Sequence, residues 1–307
     1  MIGQATALVL GGTGSVGTHV VAALRGGGYR VISVSRGPSK AGIDHVSLEL
    51  ATEDPRPLLE LLRRFSPTLV VNAAGSYWGM DEPQMYRSLV TLTETTLVAL
   101  AALPDLRARY VHLGSIMEYG PLPTSGQVDE SAPTEPRSPY GRMKLAATTA
   151  VRASKELGAV DGIVLRVTNS LGPGVHHGTL IGKVGTALAA GRARIELSTL
   201  GGYRDFIDVR DLGDAVHAAA RPPTVPDVVN IGYGQAVSVR QLVHRLAEIS
   251  AVPVDIVETA TASGALGASG ASAPWLEVAT DTAERTLGWR ATRNVEQALH
   301  DYWLTFR

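Results

Sequence analysis

The residues Ala7-Leu8-Val9-Leu10-Gly11-Gly12-Thr13-Gly14-Ser15-Val16-Gly17 decide the fold. A short apolar run, Ala5–Leu10, enters a turn punctuated by glycine, and Val16–Arg25 then reads as a helix closed by Gly26-Gly27-Gly28. The run is too short to cross a bilayer and lacks the flanks of a secretory signal, so it reads as a buried strand. Gly-x-x-Gly-x-x-Gly between a strand and a helix is the context in which such a turn binds a dinucleotide. The first glycine permits the tight turn, the second lets the backbone approach a pyrophosphate, and the third lets helix and strand pack. The helix N-terminus supplies free N–H donors and a positive dipole for the phosphates.

Working outward, the alternation continues. Arg30–Ser35 is the next strand, Leu58–Phe65 a helix, and Leu69-Val70-Val71-Asn72 a strand. Gln84–Leu103 reads as one long helix before the strand Arg109–Leu113. Ser138 caps a helix that has Pro139 in its first turn and runs to about Leu157, followed by the strand Gly162–Arg166. Continuous apolar strands alternating with helices imply an α/β fold, a Rossmann-type doubly wound parallel sheet. Beyond Arg166 the character changes: Asn169–Gly178 is rich in Gly, Pro and His, and Thr259–Pro274 is nearly all small residues, which reads as a mobile loop. The expected division is a dinucleotide-binding domain over 1–167 plus about 205–231, and a smaller C-terminal substrate-binding α/β domain over 168–204 and 232–307.

Composition narrows the class. The chain has 307 residues, 45% hydrophobic, with a formal net charge of -1. That is enough for a real core and gives no basic patch for nucleic acid. There are no cysteines, which removes disulfides and thiolate metal sites and agrees with a cytoplasmic protein. No membrane or nucleic-acid partner is expected; a small-molecule substrate is.

The end of the second strand chooses the cofactor. An acidic residue there would bond a ribose 2′-hydroxyl and favour NAD(H). Ser35-Arg36 stands there instead, with Lys40 nearby, and a hydroxyl plus a guanidinium suits the 2′-phosphate of NADP(H). Further along, Tyr140 and Lys144 lie at i, i+4 on one helix face. A nearby ammonium favours the phenolate and brings a group of pKa ~10 toward working pH. Tyr140 could then move a proton in step with a hydride.

These motifs, taken in order, resemble the extended short-chain dehydrogenases/reductases, the NAD-dependent epimerase/dehydratase family. Asn72-Ala73-Ala74-Gly75 resembles the strand end lining the cofactor. Leu113-Gly114-Ser115-Ile116-Met117-Glu118-Tyr119-Gly120 resembles the segment bearing the catalytic Ser/Thr, at Ser115. Arg166-x-x-Asn169-x-x-Gly172-Pro173 and Arg204-Asp205-Phe206-Ile207 resemble segments near the nicotinamide and the diphosphate of a nucleotide sugar. Leu287-Gly288-Trp289 resembles the family's C-terminal Leu-Gly-Trp. The resemblance implies Ser115, Tyr140 and Lys144 as catalytic residues. It implies Gly11, Thr13, Gly14, Ser15, Val16, Gly17, Ser35, Arg36, Leu50, Ala73, Ala74 and Gly75, with Tyr140 and Lys144, as the cofactor site. Ser76, Ser115, Ile116, Met117, Tyr140, Asn169 and Arg204 are the implied substrate contacts. It also implies a homodimer through Gln84–Leu103 and Pro139–Leu157.

Departures narrow the reaction. Sugar 4,6-dehydratases of the family carry Asp-Glu where Ile116-Met117 stand, and decarboxylating members keep a Glu at the position of Met117. Glu118, one position on, reads as a structural or surface carboxylate. Val90 stands near a usual Asn, and the family's second phosphate-binding Arg has no counterpart in 265–275. His176-His177 carries no third ligand at metal-binding spacing, and adjacent loop residues should point apart. His112 and His217 read as core histidines. The expectation is NADP(H)-dependent reduction of the keto group of a nucleotide-linked deoxysugar. The alternatives are a 4-epimerase with tightly held NAD+, a reductase of a non-nucleotide ketone, and a non-catalytic cofactor-binding regulator.

Overall fold

The computed structural model describes residues 4–38, 42–120, 125–259 and 275–307. Lys40 and residues 260–274 of the expected loop lie outside the described residues. The first half runs β1 (Thr6–Leu10), α1 (Gly17–Gly26), β2 (Arg30–Ser35), β3 (Asp44–Ser47), α2 (Arg56–Phe65), β4 (Leu69–Asn72), α3 (Glu82–Tyr86), α4 (Leu92–Ala101), β5 (Arg109–Ser115), α5 (Pro139–Glu156) and β6 (Asp161–Val167). The second half runs β7 (Asn169–Leu171), α6 (Leu180–Ala189), β8 (Arg194–Ser198), β9 (Tyr203–Asp208), α7 (Val209–Ala219), β10 (Val228–Ile231), β11 (Ala236–Ser238), α8 (Val239–Ser250), β12 (Asp255–Thr259), β13 (Trp275–Leu276), α9 (Asp281–Leu287) and α10 (Val295–Leu304).

Seven parallel strands form the main sheet in the order β10-β6-β5-β4-β1-β2-β3. The order reverses beside β1, so a crevice opens beyond the carboxyl ends of β1 and β4, where Leu10 pairs with Asn72. Helices cover both faces. Val20, Val21 and Leu24 of α1 pack with Leu212, Ala215 and Val216 of α7 on one side. Leu58, Leu61 and Leu62 of α2 pack with Leu92, Leu97 and Leu100 of α4 on the other. Burying each such leucine contributes about 1.5–3 kcal/mol relative to exposure.

A second, smaller assembly stands over the crevice. β11, β9 and β13 form a sheet joined by β7, β8 pairs with β12, and α6, α8 and α10 share a separate core around Val184, Leu246 and Trp303. Within the stretch 205–231, α7 and β10 return to the main sheet, while β9 stays in the second; α9 packs on the main core through Ala283 and Leu287.

Two local features depart from the sequence expectation. β3 is an edge strand of alternating polar residues, Asp44-His45-Val46-Ser47, with no apolar run to announce it. The single helix expected over Gln84–Leu103 is broken into α3 and α4 by a π turn at Arg87–Thr91. Such turns cluster beside functional sites. Here the wide turn brings Ser88 over the loop after β4, where Ser88 Oγ accepts from Ser76 N at 3.0 Å.

The glycine turn is held by backbone contact. A Cβ on Gly17 would lie 2.0 Å from Gly11 O, an atom that cannot move without displacing β1. Gly17→Ala therefore loses about 1–3 kcal/mol of unfolding free energy by overpacking, read as a lower urea midpoint at unchanged slope.

Candidate active site

At the end of β1, Gly11 adopts φ +79°, and a Cβ there would meet Ala74 Cα at 2.6 Å. The turn thus lies directly on Ala73-Ala74, the first residues beyond β4. Gly14 N donates to Gly11 O at 2.9 Å and Thr18 N to Gly14 O at 3.0 Å, which closes the turn into the start of α1. No side chain caps α1 at Val16. Its first amides face the crevice end of the sheet, a cradle fitted to a diphosphate. Thr13, Gly14 and Ser15 also wall a cavity of about 420 Å³ whose far side is formed by Gly174, His176, His177 and Tyr302.

The residues beyond β2 lie beside this turn. Ser35 is buried, and its hydroxyl pairs with Thr13 Oγ1 at 2.8 Å. Arg36 is exposed, 3.7 Å from the carboxylate of Glu49, a neighbour with no motif to announce it. At this exposure the pair is weak and leaves the guanidinium available to an anion. Leu50 packs inward with Leu8, Leu10 and Val34. Asn72 turns inward too: its amide nitrogen faces Thr93 Oγ1 (3.3 Å) and Tyr110 OH (3.2 Å), while its Oδ1 accepts from Ala74 N at 3.2 Å. It thereby fixes the Ala73-Ala74-Gly75 turn, and Ser76 follows, half-buried.

Ser115, Tyr140 and Lys144 converge at the end of β5. Ser115 caps a single 3-10 turn, Ile116–Glu118, and its Oγ accepts from Met117 N at 3.2 Å. Ser138 caps α5 by accepting from Gly141 N at 3.0 Å, which sets Tyr140 in the first turn. Gly141 allows that turn to lie against the 3-10 turn: a Cβ there would be 2.2 Å from Met117 O. Lys144 is buried and donates to Leu113 O at 2.8 Å, with its Nζ 5.9 Å from the Tyr140 ring centre. Ile116 is buried and Met117 half-buried.

The electrostatics correct one expectation. Burial pushes the Tyr140 phenol up to about 12, against the hydrogen bond from Ser115, and the Glu118 carboxylate pushes it up further. The ammonium does not bring the phenol down here; burial lowers Lys144 itself to about 8, with Glu118 opposing. Desolvation outweighs the ammonium one turn away, and the phenol holds its proton across the neutral range.

Two other placements differ from the sequence reading, and a third is narrowed by the structure. Glu118 is fully buried and ion-paired with Arg166 at 2.8 Å, so of the two roles left open, structural or surface, it has the structural one. His176 and His177 do not point apart: their rings stack at 4.2 Å, and Trp78 is stacked with His176 at 5.5 Å and 8°. Among the described residues no group of three or more His, Cys, Asp or Glu could hold a metal ion. His217 is only partly buried, set edge-on to Tyr29, whereas His112 is fully inside. Sequence reasoning also missed that the histidine stack continues through Trp78 and Tyr77 to Tyr140, with Tyr77 and Tyr140 ring centres 4.5 Å apart. From the second assembly, Asn169 donates to Asp205 O at 3.1 Å, and Arg204 is buried and donates to Tyr203 O at 2.8 Å.

Residues 7–232 match the model of the NAD dependent epimerase/dehydratase family. The chain belongs to that family. Over 302 residues it is 39% identical to a dTDP-6-deoxy-L-talose 4-dehydrogenase (NAD(P)(+)) of Kitasatospora kifunensis, covering 96% of this chain and 93% of that one. A UDP-glucose 4-epimerase of Arabidopsis thaliana is 28% identical over 346 aligned positions, covering 96% and 93%. The crystal structure of the UDP-glucose 4-epimerase of Brucella ovis with NAD superposes with a TM-score of 0.85 at 22% identity, covering 98% of each chain. The protein is thus an NAD(P)-dependent enzyme of the extended short-chain dehydrogenase/reductase group. Among the described residues, no helix is long and apolar enough to cross a membrane.

The contact between Gly141 and Met117 makes a test of the convergence. Gly141→Ala pushes α5 away from Ser115, so kcat falls roughly 10²-fold while the Kd for the dinucleotide, set at the glycine turn, stays within a few-fold. Single-turnover kinetics beside cofactor titration separate the two.

Proposed function

We propose that the enzyme reduces the keto group of a nucleotide-linked deoxysugar with NADPH. The observation that carries this reading over water removal is the phenol of Tyr140 at the end of β5, with no carboxylate free to act as a second acid or base beside it among the described residues. Tyr140 holds its proton and is bonded to Ser115, while apolar Ile116 and Met117 occupy the positions where a second acid and base would be needed to remove water. The 4-dehydrogenase relative supports redox chemistry at one carbon of a 6-deoxysugar nucleotide. Ser35 and the exposed Arg36 beyond β2 support NADP(H).

In this reading the bound dinucleotide supplies the hydride. Ser115 donates a hydrogen bond to the substrate carbonyl oxygen, Tyr140 transfers its phenolic proton to that oxygen, and Lys144 faces the phenol and holds the cofactor's ribose. Arg204 and Asn169 meet the substrate from the second assembly, and the Tyr77 ring, tilted against Tyr140 at 4.5 Å, offers an aromatic face suited to a deoxy carbon. A homodimer through α4 and α5, and a cytoplasmic location, belong to the same reading. The second reading, a 4-epimerase that keeps NAD+, draws on the Arabidopsis relative.

Denaturing the purified protein and identifying the released dinucleotide separates them. An empty site or exchangeable NADP(H) is the expected result; near-stoichiometric NAD+ would replace the reductase by the epimerase. Two variants then test the roles. Tyr140→Phe lowers ketone reduction by roughly 10²–10⁴-fold with dinucleotide binding retained. Arg36→Ala weakens NADPH by about 1.5–3 kcal/mol, roughly 10–150-fold, and leaves NADH unchanged, because only the former carries the 2′-phosphate.

A further inference from the structure

We propose that the buried pair Glu118–Arg166 is the positioning element for Ser115, one carboxylate oxygen holding the serine amide and the other anchored by the guanidinium. The proposal rests on the reading of Ser115 and Tyr140 as the proton-transfer pair. Ser115 N donates to Glu118 Oε1 at 2.7 Å, and Arg166 Nε donates to Glu118 Oε2 at 2.8 Å. Both side chains are sealed from water, Glu118 at 0% and Arg166 at 3% exposure. Gly114 makes the room: a Cβ there would lie 2.6 Å from Glu118 Oε1.

The anchor is itself anchored. The guanidinium lies over the Tyr119 ring at 4.6 Å, and Tyr119 OH donates to Asn230 Oδ1 at 2.7 Å. Asn230, on β10, donates through its amide side chain to Val128 O at 3.1 Å and through its backbone to Glu130 at 2.8 Å. A polar chain thus runs from the edge strand of the sheet to the serine. A buried ion pair of this kind is weak evidence for stability, since an apolar pair of similar volume often serves as well. Its two oxygens are held by the Ser115 backbone and by Arg166, with the Thr148 hydroxyl also beside the carboxylate, which makes it a device for orientation. With its amide fixed and its Oγ accepting from Met117 N, Ser115 has its hydroxyl hydrogen left to direct at the phenol or the substrate oxygen.

The pair also sets the local field. The charged and titratable groups around the phenol are Lys144 on α5, Tyr77 from the loop after β4, His112 on β5 beside Lys144, and Glu118 with Arg166. The Glu118 carboxylate disfavours a second negative charge on Tyr140. Removing it favours the phenolate, so any limb governed by Tyr140 moves to lower pH.

The test uses the full chain with NADPH and a 4-keto-6-deoxysugar nucleotide. Glu118→Met with Arg166→Met removes both charges together and the Ser115 acceptor. It is expected to stay folded, to keep the KM for NADPH, and to lose roughly 10²-fold in kcat. Glu118→Gln with Arg166→Met restores an acceptor for the serine amide and is expected to recover most of that loss. Glu118→Gln alone is expected to shift the high-pH limb of reduction to lower pH. Unchanged kcat in the Met/Met variant, or no recovery in the Gln/Met variant, overturns the proposal. If the native protein reduces no 4-keto sugar, the reading of function falls instead. The positioning role is then decided by hydrogen exchange at the Ser115 amide: faster in the Met/Met variant sustains it, and unchanged exchange overturns it.

Discussion

The close contact of backbone with backbone at Gly11 is the constraint on which the site depends. Gly11 Cα abuts Ala74, and Gly17 rests on the Gly11 carbonyl. Neither contact admits even a methyl group. They draw β1, the start of α1 and the end of β4 into one corner, with the helix amides directed along the crevice. A parallel sheet makes such a corner wherever its strand order reverses. What is particular to this chain is that Asn72, turned into the core, holds the β4 side of it through Ala74 N.

A second contact of the same kind builds the chemical end. Gly141 lies against Met117 O, so the first turn of α5 meets the 3-10 turn after β5. Two caps keep the approach in register: Ser115 on the 3-10 turn and Ser138 on α5. Each places a reactive hydroxyl at or beside an element terminus, where the backbone is rigid but the side chain is free of the helix ladder. The π turn at Arg87–Thr91 adds a third adjustment by bringing Ser88 to the loop that carries Tyr77. The candidate site is therefore made at loops and element ends, where glycines permit the close approach and side-chain caps hold it.

This explains what could be read in the sequence. The main sheet was legible because five of its strands are apolar runs alternating with helices whose ends are marked by Gly26-Gly27-Gly28, by Ser66-Pro67 or by the Ser138 cap, and the glycine turn and Tyr140–Lys144 pair are local patterns. β3, β8 and β12 were not, because they are short, edge-placed and half polar. Glu118 could not be assigned from its neighbours, since its partner Arg166 stands 48 residues on and meets it only through the pairing of β5 with β6. The Tyr140–Tyr77–Trp78–His176 stack joins a helix terminus and two loops, with no periodicity to announce it. The expected lowering of the Tyr140 pKa failed for a similar reason. Sequence spacing reports the nearby ammonium, while the desolvation that outweighs it is a property of the packed fold.

The distribution of protons at the site limits what reactions it can run. Removing water from a sugar needs one group to take a proton from carbon and another to give one to the leaving hydroxyl. Beside Tyr140 the chain offers Ile116 and Met117, and the one carboxylate in the segment, Glu118, is committed to Ser115 N and Arg166. A single phenol can serve reduction, oxidation or the paired steps of epimerisation, since each moves one proton on one oxygen. These reactions differ in whether the cofactor leaves after the hydride moves, so the proton inventory around Tyr140 disfavours water removal without choosing among the three.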